Sequence, residues 1–230
     1  MSGPLKSIYK VAILVDWENV RYRIFDNNIL KKHGIPDNLT INYNENPQKA
    51  INFLKSFVDP QQEDIFRIYF YTCLYPETIK LKREKLNIHK DEDRKRIEAL
   101  YPKYLRNYEL SKSLVNSVAK MDNVQVRLGH LSPREENKDT AKSLRFEQKQ
   151  VDMLIGLDVA TLSYKRLVDR IILFSYDTDL LPAILLAKDN GLQIVLPAIE
   201  GIIEPPKEMI READFVRNKN YVKIVESLST

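Results

Sequence analysis

The chain has 230 residues, of which 43% are hydrophobic and 30% charged, with a formal net charge of +4, three histidines and one cysteine. This composition predicts one folded domain over residues 1–230 and excludes a disordered chain, a disulfide-stapled scaffold and a zinc site built on Cys73 and the histidines. No apolar run approaches the roughly 20 residues that span a bilayer, and the lack of a secretory apolar core or of paired cysteines predicts a cytoplasmic protein.

Short apolar runs alternate with segments of helical length along the chain. The strand-like runs are VAILV (11–15), IFRIYFY (65–71), VQVRL (124–128), RIILF (170–174) and LQIVL (192–196). Helical spacing of apolar residues is clearest in NPQKAINFLKSFVD (46–59), QVDMLIGLDVATLS (150–163) and LLPAILLAKDNG (180–191). Because strands alternate with helices and are nearly continuous in apolar character, we predict a three-layer, Rossmann-like α/β fold with a central parallel sheet of about five strands.

Residues 80–120 are too many for a simple crossover and predict a basic helical insertion within the domain. Between residues 80 and 112 the chain has eleven Lys and Arg against six acids, a local net charge of +5, and Tyr101, Tyr104 and Tyr108 follow at helical spacing. Such a segment can grip RNA through phosphate contacts and stacking. A solvated helix face with a core-facing tyrosine stripe explains the same pattern. The candidate RNA contacts here are Arg83, Arg94, Lys95 and Arg96.

Aspartates follow two of the predicted strands. Asp16 comes directly after the first strand, and Asp177 and Asp179 come after the fourth. Ligands of open parallel sheets bind outside the carboxyl ends of the strands, where the strand order reverses. If these two strands are neighbours their aspartates meet, and Asp152 begins the helix that leads into the fourth strand. Converging carboxylates repel unless a cation joins them, and oxygen ligands without His or Cys favour Mg²⁺ or Mn²⁺.

Each aspartate also has a structural explanation. Acids after strands are common N-cap and turn residues, and Asp179 is placed to cap the helix that begins near Leu180. Asp158 lies within the apolar stripe of its helix, about 9 Å along the axis from Asp152, so one ion cannot easily bind both. We assign Asp152 to the cation and Asp158 to a structural role with a buried partner.

Four segments of the chain, occurring in the same order, resemble the motifs of the NYN domain family. VAILVDWENV (11–20) resembles the family's opening strand, in which an Asp is followed three residues later by an Asn. KQVDMLIGLD (149–158) is similar to a K-x-V-D helix with a further Asp six residues on. SYDTDLLPAI (175–184) resembles an S-x-D-x-D segment, and EADFV (212–216) resembles the closing A-D-x-F segment, although here the Phe directly follows the Asp. The resemblance spans roughly residues 9 to 216.

The resemblance to NYN domains implies a PIN-like fold and a metal-dependent ribonuclease that cleaves single-stranded or structured RNA. It implies that Asp16, Asp152 and Asp177 bind Mg²⁺ or Mn²⁺, with Asp179 beside them. It also implies that Asn19, one helical turn after Asp16, orients a water, a phosphate or the Asp16 carboxylate. We therefore predict that these five residues form the catalytic site.

Two further residues bear on access to the implied pocket. Lys149 is placed at its mouth, where it could meet a phosphate, and Tyr176 stands where the family usually has a small residue, so its ring could narrow the pocket or stack on a base. A blocked pocket would make the chain a catalytically silent RNA-binding or partner-binding module, which is the main alternative.

Other functions fit the sequence less well. A phosphatase of the haloacid dehalogenase type would use the DTD segment 177–179, but such enzymes usually carry that motif on their first strand. No G-x-G-x-x-G follows any strand, which disfavours dinucleotide binding. A homo-oligomer is compatible with the sequence.

Overall fold

The computed structural model describes residues 8–74, 91–133 and 146–229. The strands are β1 (Tyr9–Asp16), β2 (Glu63–Cys73), β3 (Val124–Pro133), β4 (Phe146–Lys149), β5 (Arg170–Phe174), β6 (Gln193–Ile199) and β7 (Phe215–Lys219). The helices are α1 (Trp17–Ile24), α2 (Asn27–Lys32), α3 (Pro47–Lys55), α4 (Asp91–Val118), α5 (Val151–Tyr164), α6 (Leu181–Asp189), α7 (Lys207–Glu212) and α8 (Tyr221–Ser227). Single 3₁₀ turns occur at Asp37–Leu39 and Thr178–Leu180.

The described strands form one seven-stranded sheet in the order β4-β3-β2-β1-β5-β6-β7. All neighbouring strands are parallel except β4, which pairs antiparallel with the edge strand β3. The predicted α/β fold with a parallel sheet is therefore confirmed. The sheet has two strands more than expected, β4 and β7, because both lie at its edges and their sequences, FEQK and FVRNK, lack the apolar continuity of a doubly covered strand.

Helices cover both faces of the sheet, as the side chains of β1 show. Val11, Ile13 and Val15 belong to a core cluster with α1, α2, α3, α8 and the end of α4. Ala12 and Leu14 point the other way, into a second cluster with α5, α6 and α7. Every residue from 11 to 15 is fully buried, so the three-layer prediction is confirmed.

Local signals in the sequence mark the helix ends. Asn46 caps α3 by accepting a hydrogen bond from Lys49 N at 2.9 Å, with Pro47 in the first turn. The α6 helix ends before Asn190, and Gly191 has a φ of 84°, the left-handed region that glycine favours.

The predicted insertion at 80–120 is helical in its described part, since α4 covers residues 91–118. Its carboxyl end belongs to the core, because Leu114 and Val118 are buried in the first cluster. The end of α4 is therefore a crossover helix packed on the sheet, ahead of β3. No helix within the described ranges is long and apolar enough to cross a membrane.

Candidate functional site

The sheet order reverses at β1, whose neighbours are β2 and β5. Val15 of β1 pairs with Phe174 of β5 in parallel register, so Asp16 and Ser175 continue the two strands side by side at the carboxyl edge. The expectation that these strands are neighbours at the reversal is confirmed. Asp177 follows two residues later, at the position where ligands of open α/β sheets bind.

Asp16 is buried, with 4% of its surface exposed, and it caps α1. Its Oδ1 accepts a hydrogen bond from the Asn19 backbone N–H at 3.3 Å. The Oδ1 of the Asn19 side chain is also buried and has no hydrogen-bond partner among the described residues. A buried acceptor without a donor costs about 1–3 kcal/mol, so this oxygen is suited to a ligand that the chain itself does not supply.

Asp177 also caps a turn. Its Oδ1 accepts a hydrogen bond from the Asp179 backbone N–H at 2.9 Å and so begins the 3₁₀ turn before α6. Asp16 and Asp177 are therefore both N-cap residues, as the structural explanation of these acids predicts. Asp179 is exposed, and its backbone N–H is the donor to the Asp177 cap. The cap of Asp177 uses its Oδ1, and a carboxylate group has lone pairs enough for a further ligand.

The third aspartate, Asp152, lies in the first turn of α5, and the charges of the other acids affect its pKa. Partial desolvation of its carboxyl group, followed by the nearby charges of Asp177 and Asp179, raises the pKa of Asp152. Like charges raise the pKa of a carboxyl group only when they are close to it. The start of α5 and the turn Thr178–Leu180 belong to elements that are in contact, which agrees with Asp152, Asp177 and Asp179 lying at the same edge of the sheet.

No group of three or more His, Cys, Asp or Glu side chains is close enough to hold a metal ion within residues 8–74, 91–133 and 146–229. The chemistry of the donors nevertheless fits Mg²⁺ or Mn²⁺, which prefer carboxylate and amide oxygens. The orphaned Asn19 oxygen beside Asp16 adds a neutral donor of the same kind. Cation binding by Asp16, Asp152, Asp177 and Asp179 stays a prediction.

The structural role assigned to Asp158 is confirmed. Its Oδ2 accepts hydrogen bonds from the Tyr71 hydroxyl at 2.8 Å and from Arg127 Nε at 3.0 Å, and its Oδ1 accepts one from Arg127 Nη2 at 3.2 Å. The hydrogen bonds from Arg127 raise the pKa of that guanidinium, and burial raises the pKa of Tyr71. Asp158 thus ties α5, and with it Asp152, to β2 and β3.

The entry into α5 depends on a glycine that the sequence analysis missed. A Cβ on Gly129 of β3 would lie 2.7 Å from Val151 Cγ2, 2.8 Å from the Lys149 carbonyl oxygen and 3.0 Å from Cys73 Sγ. Gln150, which precedes the helix, has a left-handed φ of 74°. The close approach at Gly129 therefore sets where α5 begins. A lone glycine inside a strand is the signal that would have found it.

Lys149 is the last residue of β4 and lies opposite His130 of β3. Its side chain is exposed, three residues before Asp152. This position is compatible with the predicted phosphate contact, which stays a prediction.

Glu18 on α1 is an acid that was not among the residues predicted from the sequence. Glu18 Oε1 accepts a hydrogen bond from Thr72 Oγ1 at 3.4 Å, and Glu18 Oε2 accepts one from Arg21 Nε at 2.8 Å. Burial, then the charges of Glu18 and Asp16, raise the pKa of Cys73 to about 12. Glu18 is therefore a further carboxylate near Asp16, and its signal was its place two residues after that aspartate.

The expected role of Tyr176 requires correction. Only 4% of the residue is exposed, its hydroxyl donates to the Pro197 carbonyl oxygen at 3.3 Å, and the Arg23 guanidinium lies 5.5 Å from its ring centre. Burial raises the pKa of Tyr176. The ring belongs to the core cluster on the α1 side of the sheet, so it is not presented to a base.

The remaining RNA-contact predictions lie at or beyond the limits of the described chain. Arg83 is outside the described residues. The positions of Arg94, Lys95 and Arg96 fall in the first turns of α4, and their side chains are outside the described part. Tyr108 of α4 is half-buried, and Lys112 Nζ donates to its hydroxyl at 3.4 Å. RNA binding by this segment stays a prediction.

A cleft of about 880 Å³ lies away from these acids, between the end of α3, the start of β2, the end of β7 and α8. Its wall includes the fully buried Glu63 side chain, which pairs with Arg170 at 2.5 Å and Arg217 at 2.8 Å. Although burial acts to raise it, hydrogen bonds from Arg217 and Arg170 lower the pKa of Glu63 to about 2. Lys219, beside the cleft, donates to the Ser56 carbonyl oxygen at the end of α3. These charged groups have structural partners.

Comparison with known proteins adds little. No family model matches the chain, and no curated protein matches it. The chain is similar to the crystal structure of a protein of unknown function from Vibrio parahaemolyticus, with 17% sequence identity and a TM-score of 0.42 over 96% of this chain and 97% of that one. A likeness this distant carries no argument about activity.

Proposed function

We propose that this chain is a Mg²⁺- or Mn²⁺-dependent ribonuclease with a PIN-like fold, and that its active site is the acidic carboxyl edge of β1 and β5. The observation that carries the proposal is the pairing of Val15 with Phe174, because it sets Asp16 and Asp177 at the ends of neighbouring strands where the sheet order reverses. Contacts between α5 and the turn Thr178–Leu180 support it, as does the contribution of Asp177 and Asp179 to the raised pKa of Asp152.

The residues have distinct parts in this proposal. Asp16, Asp152, Asp177 and Asp179 would hold the cation. When bound, Mg²⁺ or Mn²⁺ would offset the charge of these acids and of an RNA phosphate and would lower the pKa of water. The Asn19 side-chain oxygen accepts a hydrogen bond from the attacking water and orients it, which satisfies an acceptor that is otherwise buried without a donor.

The acids can also take up the proton that the water loses. A carboxylate beside the cation can accept that proton and pass it to solvent. Asp158 holds the helix that carries Asp152 against the sheet. No histidine base is needed in this scheme.

A second candidate is an RNA-binding or partner-binding module without activity. The observation that favours it is the use of both Asp16 and Asp177 as caps, together with the lack of a three-acid group in the described part of the chain. Under this alternative the aspartates stabilise helix starts and do no chemistry.

One experiment separates the two. Labelled single-stranded RNA, structured RNA and DNA are incubated with the chain, with and without Mn²⁺, beside Asp16→Asn and Asp177→Asn variants. The matched control is Asp122→Asn, which changes an exposed acid just before β3, at the opposite edge of the sheet. The nuclease proposal expects metal-dependent cleavage that both site variants lose and the control retains. Full cleavage in EDTA contradicts it, and RNA binding without cleavage at any Mn²⁺ concentration establishes the silent module.

A further inference from the structure

The outer face of α5 is largely apolar, and its exposed Thr161 donates its hydroxyl hydrogen bond back to the Leu157 carbonyl oxygen. Met153, Leu157 and Tyr164 are 69%, 59% and 69% exposed and share one side of the helix, while the opposite side is buried against the sheet. Surface helices normally present polar or charged residues to water. The charged residue within α5 after its first turn, Asp158, is directed inward to Tyr71 and Arg127. The outer face is thus uncharged along most of its length.

Among the described residues, nothing contacts the position of a Cβ on Gly156, since no atom lies within 4 Å of it, and its φ is not in the left-handed region. Glycine is less favourable than alanine inside a helix, so a packing requirement at this surface would explain it. Gly156 and Ala160 are both small and flank Leu157, which lets another helix approach closely.

We propose that a second copy of this chain packs on this face, with the two α5 helices antiparallel about a two-fold axis that passes between Asp158 and Val159. Met153 and Tyr164 lie equally far along the helix from that point, and so do Leu157 and Ala160. Met153 then opposes Tyr164 of the partner subunit, and Leu157 opposes Ala160 of the partner subunit. A large residue meets a small one, and a thioether meets an aromatic ring, which are favourable contacts.

The charges at the helix ends favour a second copy in this orientation. The amino end of α5 carries Asp152, close to Asp177 and Asp179, whereas the carboxyl end is followed by the exposed Lys165 and Arg166. The two ends are about 20 Å apart, so only antiparallel helices bring the basic end of one copy beside the acidic edge of the other. A parallel pair would place acid against acid.

A neighbouring helix widens the same face. The α6 helix packs beside α5, and its Leu185 is 43% exposed. Its outward side carries the exposed Pro182 and Leu185, and an exposed charge, Asp189, follows on the same side in its last turn. Two helices from each copy would therefore meet in an isologous, four-helix contact.

Sedimentation equilibrium of the whole chain tests the proposal. The wild-type chain should show a monomer–dimer equilibrium, and Leu157→Glu should raise its dissociation constant about 30-fold or more, because a central apolar contact is replaced by a buried charge. The control Leu110→Glu changes a residue that is 36% exposed on α4, which packs on the opposite face of the sheet, and it should leave the constant unchanged. A wild-type chain that stays monomeric at every concentration, or a dimer that Leu157→Glu leaves intact, would overturn the proposal.

Cysteine cross-linking tests the orientation. Residues 153 and 164 are about 16 Å apart within one helix, too far for a disulfide, and Cys73 is buried. The Met153→Cys/Tyr164→Cys double variant should therefore oxidise to a covalent dimer, whereas Met153→Cys alone should not. Efficient cross-linking of the Met153→Cys single variant would indicate a parallel pair and would overturn the antiparallel arrangement.

Discussion

The carboxylate of Asp158 accepts hydrogen bonds from two nitrogens of the Arg127 guanidinium, at 3.0 and 3.2 Å, and thereby fastens α5 to β3. A third hydrogen bond, from the Tyr71 hydroxyl, reaches the same carboxylate. Asp158 lies in the apolar stripe of α5, and donors from β2 and β3 of the sheet supply its hydrogen bonds. The acidic edge depends on this arrangement, because Asp152 begins the same helix.

We expect Asp158→Ala to lower the free energy of unfolding by about 2–3 kcal/mol, because it leaves the buried Tyr71 hydroxyl and the Arg127 guanidinium without their acceptor. Urea denaturation measures this change. Pairing it with Arg127→Met in a double-mutant cycle isolates the ion pair, whose partners are partly exposed. An Asp158→Ala variant within 0.5 kcal/mol of wild type would contradict the assigned role.

The Glu63 ion pairs predict a loss of stability in acid. The pKa of Glu63 falls from an ordinary 4.5 to about 2 in the folded chain, so its contribution is complete above pH 4.5 and is lost as the pH falls toward 2. The expected loss is about 3 kcal/mol between those limits. The free energy of unfolding is measured from pH 6 to pH 2 for the wild type and for Glu63→Gln. The variant should start lower and show a flatter profile in that window; identical slopes would contradict the prediction.

Two glycines form a matched pair for substitution by alanine. Gly129→Ala should destabilise the fold by about 1–3 kcal/mol, because its Cβ would press on the Lys149 backbone and on Val151. Gly156→Ala, in open space on α5, should instead stabilise the monomer by up to about 1 kcal/mol when measured at low protein concentration. Thermal and urea unfolding provide both values. Equal effects of the two substitutions would show that the close approach at Gly129 does not position α5.

Asn19 allows stability and activity to be separated. Removing its buried, unpartnered oxygen in Asn19→Ala should change the free energy of unfolding by less than about 1 kcal/mol. If the acidic edge cleaves RNA, the same substitution should slow cleavage about 100-fold, because the attacking water is no longer oriented. Cleavage rates and urea midpoints are compared on one preparation. A large loss of stability would instead mean that the Asn19 amide has a structural role.

The sequence alone was sufficient for the layered architecture and for the acids at the strand ends. Local patterns carry these features: the continuous apolar runs of β1, β2, β3, β5 and β6, and the aspartates that follow two of them. The same patterns could not reveal β4 and β7, because an edge strand is covered on fewer sides and needs no continuous apolar run.

Only the tertiary structure decided where individual side chains point. Tyr176 directly precedes the candidate site residue Asp177 in the sequence, yet the path of the chain after β5 turns its ring into the core. The neighbours of Asp158 and the close contacts of Gly129 come from strands that are distant in sequence. Such contacts depend on strand order and register. These decide which residues surround a given side chain, but they produce no periodic pattern in the sequence.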